Sequence, residues 1–318
     1  MGIKSNFVKV KGYTQFIKEE FGELFKALLV YDNTNKGTDI SYKEYATENF
    51  MLPLTEKKLS YQINQKYPVI NYNNDISRYL IENKLIPLEN VYNKPDDVKS
   101  VSSKRNFHMT MEKSKFVPKT VFSKEDALEN LSFPIIAKPD NNHSGIGIQS
   151  FKLKEELREN KDEFEVFSEK IKIDEEFRLI LFKEHPLLFM KREALNKKAK
   201  EGTGGTDEAM KFGYTKVVLD YIPDEFKEIL KEVRENFSKV DIYALDLMKD
   251  EDGAMYIIEI NSQPGLPYDA SVKLYHSIYN DFYDKEMSED TMHRLGNFAS
   301  DLDMKTIQNT NNRFIIGT

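Results

Sequence analysis

The chain has no cysteine, which excludes disulfides, zinc–thiolate centres and thiol catalysis. It has no run approaching eighteen apolar residues, so no segment reads as a transmembrane helix. The opening Met1-Gly2-Ile3-Lys4-Ser5-Asn6 lacks the apolar core of a signal peptide, and Asn6 stands where myristoylation prefers Ser or Thr. A cytoplasmic location is the expectation. Basic charge is not in excess: 46 Lys and Arg stand against 53 Asp and Glu, a net charge of -7. That balance argues against broad nonspecific nucleic-acid binding, which needs a basic surface, and leaves room only for a local basic patch. No G-x-G-x-x-G follows the first strand-like run, so a dinucleotide site is unsupported, and no G-K-[ST] makes a Walker A loop. There is no internal repeat. The histidines, His108, His143, His185, His276 and His293, are scattered, and none stands out as a general base.

What is present fits an ordinary globular protein, with 40% hydrophobic and 31% charged residues over 318 positions, enough for one large or two to three small domains. The most informative segment is Tyr256-Ile257-Ile258-Glu259-Ile260-Asn261-Ser262-Gln263-Pro264-Gly265. Strand alternation puts Glu259 and Asn261 on one face and predicts Ile258 and Ile260 buried on the other. An earlier apolar run, 242–248, carries Asp246, and the intervening Asp250-Glu251-Asp252-Gly253 reads as a hairpin turn. Pairing the two runs brings Asp246 beside Glu259 and Asn261. Such hard oxygen ligands suit Mg²⁺, which takes one or two protein carboxylates and leaves its other positions to water and phosphate. The competing reading, a polar sheet face, is weak because both acids interrupt apolar strands, where an unpaired carboxylate is costly.

Upstream, residues 1–100 hold short apolar runs between helix-like stretches and read as an α/β domain. Ser123-Lys124-Glu125-Asp126 is a capping-box signature opening a short helix. Strands are expected at 133–139 and 146–151, then at 166–173, 177–182 and 187–190. The glycine-containing stretch 197–208 reads as a flexible loop. Phe226, Ile229, Leu230, Val233 and Phe237 form the apolar face of an amphipathic helix. Between strands 133–139 and 146–151 lies Asp140-Asn141-Asn142-His143-Ser144-Gly145, running to Gly147. Its small residues allow backbone N–H groups to approach phosphate oxygens, with Lys138 as a cation, although an ordinary hairpin with a snorkelling lysine is the competing reading.

Together these segments resemble the ATP-grasp superfamily. Lys138-Pro139, the loop through Gly147 and the set Asp246, Glu259 and Asn261 carry the resemblance. Ser168-Glu169-Lys170-Ile171 resembles the adenine hinge, Glu176-Phe177-Arg178 the acidic-x-Arg element after it, and Met190-Lys191-Arg192 the arginine strand that meets the terminal phosphate. Lys104, thirty-four residues before Lys138, resembles the first nucleotide lysine. The order spans about residues 101–275. Asn261-Ser262-Gln263-Pro264-Gly265-Leu266 is similar to the closing motif of the branch that holds ribosomal-protein glutamate ligases and glutathione synthetases. Lys170 departs from the aromatic or apolar residue usual in the hinge.

The resemblance implies an α/β (α+β) ATP-grasp fold: an N-terminal α/β domain (1–100), a small central lid with the phosphate loop (101–165) and a C-terminal antiparallel-sheet domain with its tail (166–318). It implies that Asp246, Glu259 and Asn261 bind one or two Mg²⁺, with Mn²⁺ as the alternative ion. Lys104 and Lys138 would hold the α/β-phosphates of ATP under a loop including Ser144, Gly145 and Gly147. Glu169, Lys170 and Ile171 would line the adenine slot, and Glu176 would accept the ribose hydroxyls. Arg192, with Arg178, would hold the transferring phosphoryl group, Lys138 assisting. For Lys104, Glu169 and Glu176 solvated surface charge is the competing reading, and for Arg178 a structural ion pair.

The implied activity is an ATP-dependent carboxylate–amine ligase working through an acylphosphate. The alternative is an ATP-grasp kinase acting on a small-molecule hydroxyl. Partners would be ATP, a carboxylate and an amine acceptor (small molecule, peptide or protein tail), with neither nucleic acid nor membrane. Family habit adds a homo-oligomer. The loop Gly202-Thr203-Gly204-Gly205-Thr206, with Asn196, resembles a substrate-proximal loop; an ordinary surface loop is the competing reading.

Overall fold

A computed structural model of the chain describes residues 27–30, 51–54, 68–101, 103–140, 147–194, 214–219, 221–266 and 268–283. The chain groups into two compact units, residues 96–265 and residues 1–95 with 266–318. This grouping is coarser than the three-part division drawn from the sequence, and it assigns the segment after Gly265 to the N-terminal unit.

In that unit, β1 (Ala27–Val30), β2 (Met51–Leu54), β3 (Val69–Asn71) and β4 (Val91–Tyr92) form a parallel sheet in the order β2-β1-β3-β4. Helix α1 (Asn74–Glu82) is N-capped by Asn73, whose side chain accepts from the Ile76 amide. It packs Ile76 and Leu80 with Val69, Ile86 and Val91. Asn71 is buried at the end of β3. It donates to Asn74 Oδ1 and the Asn93 carbonyl and accepts from the Asn73 amide and Ser77 Oγ, so its polar atoms are satisfied where a lone amide would be costly. The described elements of this unit are mixed α/β.

The second unit holds two antiparallel sheets. The smaller has the order β5-β8-β6-β7, from β5 (Thr120–Val121), β6 (Ile135–Lys138), β7 (Gln149–Phe151) and β8 (Val166–Glu169). Helices α3 (Lys124–Asn130) and α4 (Lys154–Glu159) supply Ala127 and Leu157 to its core, with Ile135, Ala137, Phe151 and Phe167 from the strands. The expected cap is present: Ser123 accepts from the Asp126 amide and donates to the Asp126 carboxylate. Strands β6 and β7 pair as the expected hairpin.

The larger sheet has the order β11-β10-β9-β12-β13, from β9 (Ile173–Phe182), β10 (His185–Ala194), β11 (Tyr214–Leu219), β12 (Ile242–Asp250) and β13 (Met255–Asn261). One face is covered by helix α5 (Lys227–Phe237) and by the segment containing α2 (Lys104–Thr110). Ile229, Val233 and Phe237 of α5 pack on Phe177, Leu179, Phe189, Leu245 and Ile257, joined by Phe107 and Met111 from the α2 segment. The apolar face expected for this helix is observed, except that Phe226 sits in a 3₁₀ turn just before it. Phe226 meets Phe177 and Phe189 edge-on at 5.2 and 5.0 Å between ring centroids, a geometry that aromatic quadrupoles favour. Each such side chain contributes about 1.5–3 kcal/mol by leaving water. Helix α6 (Tyr268–Tyr283) belongs to the first unit, where Tyr92 donates to Asp281 at 2.8 Å.

Candidate active site

The face of the larger sheet opposite its core gathers several of the site residues expected from the sequence. Along β9, Phe177, Leu179 and Leu181 enter the core, so alternation sends Glu176 and Arg178 to the other face. Pairing then aligns Arg192 with Glu176, Arg178 with Asp246, and Asp246 with Glu259. The hairpin expected from the sequence is therefore present, and Asp246 and Glu259 are direct cross-strand partners.

One detail corrects the expected alternation. Met255 and Ile257 are buried, and unbroken alternation from them would bury Glu259 as well. Instead the register shifts, Asp246 opposing Glu259 while Leu247 opposes Ile257. Ile258 is the extra residue of a β-bulge and is only partly buried, whereas Ile260 is 2% exposed. The bulge reverses the phase and turns Glu259 and Asn261 away from the core, a common use of bulges beside functional sites. At the far end, Gly253 adopts φ +86 and donates to the Asp250 carbonyl. Asp250 Oδ1 accepts from the amides of Asp252 and Ala254, completing the expected turn.

The charged groups on this face are paired loosely. Arg178 Nε lies 3.6 Å from Asp246 Oδ1, too far for a hydrogen bond, and both atoms are buried without one. Arg192 Nη1 lies 3.7 Å from Glu176 Oε2. Glu175 goes to the other side, where it bonds Lys191 at 2.5 Å and approaches Lys249; the Lys191 hydrogen bond leads in holding its carboxyl below the usual range. Of the two adjacent acids, Glu176 shares the face of Arg178 and Asp246, and Glu175 does not.

The lysines come from outside the sheet. Ser103 caps α2 through the Asn106 amide, and Lys104 opens the helix. Lys104 Nζ donates to the Asp140 carbonyl at 3.4 Å, and the Arg105 amide donates to Asp140 Oδ1 at 2.8 Å. The helix is thus tied to the base of the glycine-containing loop. Lys138, the last residue of β6, is 7% exposed. Burial pushes its ammonium down to about 8, against the attraction of Glu259 and with a smaller push from Lys104. Lys104, Lys138 and Glu259 therefore share one electrostatic neighbourhood. Gly147 is exposed with φ +78, a conformation suited to glycine. Ser144, Gly145 and His143 lie outside the described residues, as do Asn196 and the loop 202–206.

The residues expected to form the hinge lie at the end of β8 and just after it. Glu169 ends β8 and its carboxylate accepts from the Ser132 amide, while the Lys170 amide donates to the Pro134 carbonyl and its Nζ approaches Ser150 Oγ at 3.4 Å. Glu169, Lys170, Ile171 and Lys172 line a cavity of about 520 Å³ with Lys119, Asp250 and Tyr256 among its other walls. Burial, then Asp250, raises the Tyr256 phenol. Neither the lysine pair nor the carboxylate pair is among the residues that line this cavity.

The donor set fits a hard cation. Asp246 Oδ1 is buried without a hydrogen bond, and Asn261 Oδ1 accepts from the Gln263 amide at 2.9 Å with a lone pair left. Among the described residues no group of three or more His, Cys, Asp or Glu forms a full protein cage. Two carboxylates and an amide oxygen is the complement expected when phosphate and water supply the remaining ligands. Sequence reading passed over His108, which is buried beside the lysines. Its spacing of four from Lys104 on a helix was the available signal.

No family model matches the chain. It is similar to the D-alanine–D-alanine ligase A of Clostridium perfringens, 26% identical over 152 residues, 44% of this chain and 48% of the relative. The match thus spans about half the length of that curated relative. Among solved structures it is similar to the D-alanine–D-alanine ligase of Bacillus anthracis (TM-score 0.58, 16% identity, 89% of this chain and 99% of that one). It is also similar to a RiPP-associated ATP-grasp ligase of Chryseobacterium gregarium solved with ADP and a leader and core peptide (TM-score 0.54, 14% identity, 82% and 97%). The chain has the ATP-grasp fold. Among the described residues no helix is long and apolar enough to cross a membrane.

Proposed function

We propose that this protein is an ATP-dependent carboxylate–amine ligase that forms an amide bond through an acylphosphate, releasing ADP and phosphate. The observation that carries the reading is the bulge that turns Glu259 out beside Asp246, in the electrostatic neighbourhood of buried Lys138. Lys104 and Lys138 bind the phosphates next to the scissile one. Asp246, Glu259 and Asn261 would hold one or two Mg²⁺, which would supply charge neutralisation at the polyphosphate. Arg192 and Arg178 bear on the transferring phosphoryl group and give up part of their loose pairing with Glu176 and Asp246 as they do so. Glu169, Lys170 and Ile171 border the adenine, and Glu176 takes the ribose hydroxyls. Such a site works by positioning and charge stabilisation and needs no protein nucleophile.

The carboxylate is oriented toward the γ-phosphate by this cationic face, and the amine then attacks the activated acyl carbon. The Clostridium and Bacillus relatives are named for D-alanine, and the Chryseobacterium protein was solved with peptides. Amino acids and peptides are therefore the carboxylate and amine classes we propose. The test is ADP release with Mg²⁺-ATP against a panel of amino acids and peptides, with and without hydroxylamine, which intercepts an acylphosphate as a hydroxamate. ADP with hydroxamate for one acid supports the ligase. Acid-dependent ADP release without hydroxamate overturns it and favours a kinase acting on a hydroxyl.

A further inference from the structure

Helix α2 carries a second polar group toward the lysines. His108 follows Lys104 by four residues, so the helix presents the two side chains on one face. It is 4% exposed, yet neither Nδ1 nor Nε2 has a hydrogen bond. A neutral imidazole offers one donor and one acceptor, and burying both unpaired carries a desolvation penalty. Packing does not account for a histidine here. Phe107 meets the ring edge-on at 4.9 Å and is itself stacked on Phe237, surroundings that an apolar side chain would fill without penalty. The charged neighbours are the distinctive feature. Burial first, then Lys138 and Lys104, hold the imidazole down to about 3, so it is neutral at physiological pH.

We propose that His108 is a phosphate-binding residue of the nucleotide site, donating one ring N–H to an oxygen of the polyphosphate held by Lys104 and Lys138. This rests on the nucleotide reading above and adds to it a residue that the family resemblance did not supply. A neutral donor suits the position. A third fixed cation would repel two lysines, one already held down by burial, whereas an imidazole supplies a hydrogen bond to a charged oxygen without adding charge. Its second nitrogen can accept from a lysine ammonium, so that arrival of the anion satisfies both orphaned atoms together.

The test uses the full chain and two near-isosteric variants, His108→Met and His108→Gln. ADP and adenosine binding are measured by calorimetry without divalent metal, together with Tm. The expected result is that His108→Met binds ADP about ten- to a hundredfold more weakly, the range for a hydrogen bond to a charged group. Adenosine affinity should be unchanged and Tm no lower, and His108→Gln should recover most of the ADP affinity. In the unaltered protein, the His108 ring ¹⁵N signals should shift on adding ADP and stay put on adding adenosine, a readout that needs no variant to fold. ADP bound equally by His108→Met, equal losses for ADP and adenosine with a lower Tm, or ring signals indifferent to ADP would each overturn the assignment. If the unaltered protein binds no ADP, the nucleotide reading itself falls and the role of His108 with it.

Discussion

Replacing Lys138 by methionine separates what the site costs the fold from what it does for the ligand. The lysine is buried, and its ammonium is held down from the ordinary value of 10.5 to about 8. At about 1.4 kcal/mol per pH unit, that difference corresponds to a penalty of about 3 kcal/mol for keeping the charged form in place. Methionine keeps the unbranched stem and removes the charge. The attraction of Glu259 is already contained in that value, so about 3 kcal/mol is the net gain expected. The sign follows from proton linkage. Between pH 8 and 10.5 the unfolded chain binds the proton and the folded chain does not, so the stability of the unaltered protein rises with pH through that window. The penalty is fully present below pH 8 and is relieved above it. The variant should therefore melt several degrees higher at pH 7, and the gap should narrow toward pH 10. ADP affinity should move the other way, falling about ten- to a hundredfold with the loss of a charge-assisted hydrogen bond. Thermal denaturation at pH 7 and 9.5, with calorimetric ADP titration at pH 7, checks both. A variant that melts lower at pH 7 with a gap indifferent to pH would refute the reasoning, since the ammonium would then be a net stabiliser.

Glu259→Gln should cut Mg²⁺-dependent turnover on the order of 10²–10³-fold while leaving the far-ultraviolet circular dichroism unchanged; retained turnover would remove the metal assignment. Gly253→Ala meets no atom within 4 Å but forces a side chain into φ +86. It should cost about 1 kcal/mol, read as a lower urea midpoint at constant slope. Phe226→Ala removes a fully buried ring that meets both Phe177 and Phe189; a loss of about 3–5 kcal/mol is expected in the same assay.

The sequence exposed the parts of this molecule that depend on local pattern. The hairpin 242–261, the Ser123 cap and the apolar stripe of 226–237 announce themselves through alternation, a capping signature and helical spacing, and the structure bears them out. The motifs that are weak one at a time were legible through their order, which is how the fold could be named from the residues. Long-range pairing was not legible. Nothing local says that Arg192 meets Glu176 or that Arg178 meets Asp246, because those partners are set by which strands neighbour one another in the sheet. The adjacent acids Glu175 and Glu176 could be told apart only once β9 had a definite phase.

The bulge at Ile258 shows why alternation alone misleads at a site. The run Met255 to Ile260 is apolar enough to be read in either phase, and the reading that buried Ile258 and Ile260 gave the right side for Glu259 for an incomplete reason. The strand enters in one phase, with Met255 and Ile257 in the core, and leaves in the other, with Ile260 buried. A regular strand in the first phase would bury both Glu259 and Asn261, at a desolvation cost too large for unpaired groups. The extra residue lets a single strand close the core at one end and present its carboxylate and amide at the other. Asp246, one strand away, needs no such device, since Leu245 and Leu247 are buried on either side of it. This phase reversal lies in the strand that supplies two of the three proposed ligands, where it has the greatest effect on what the site can hold.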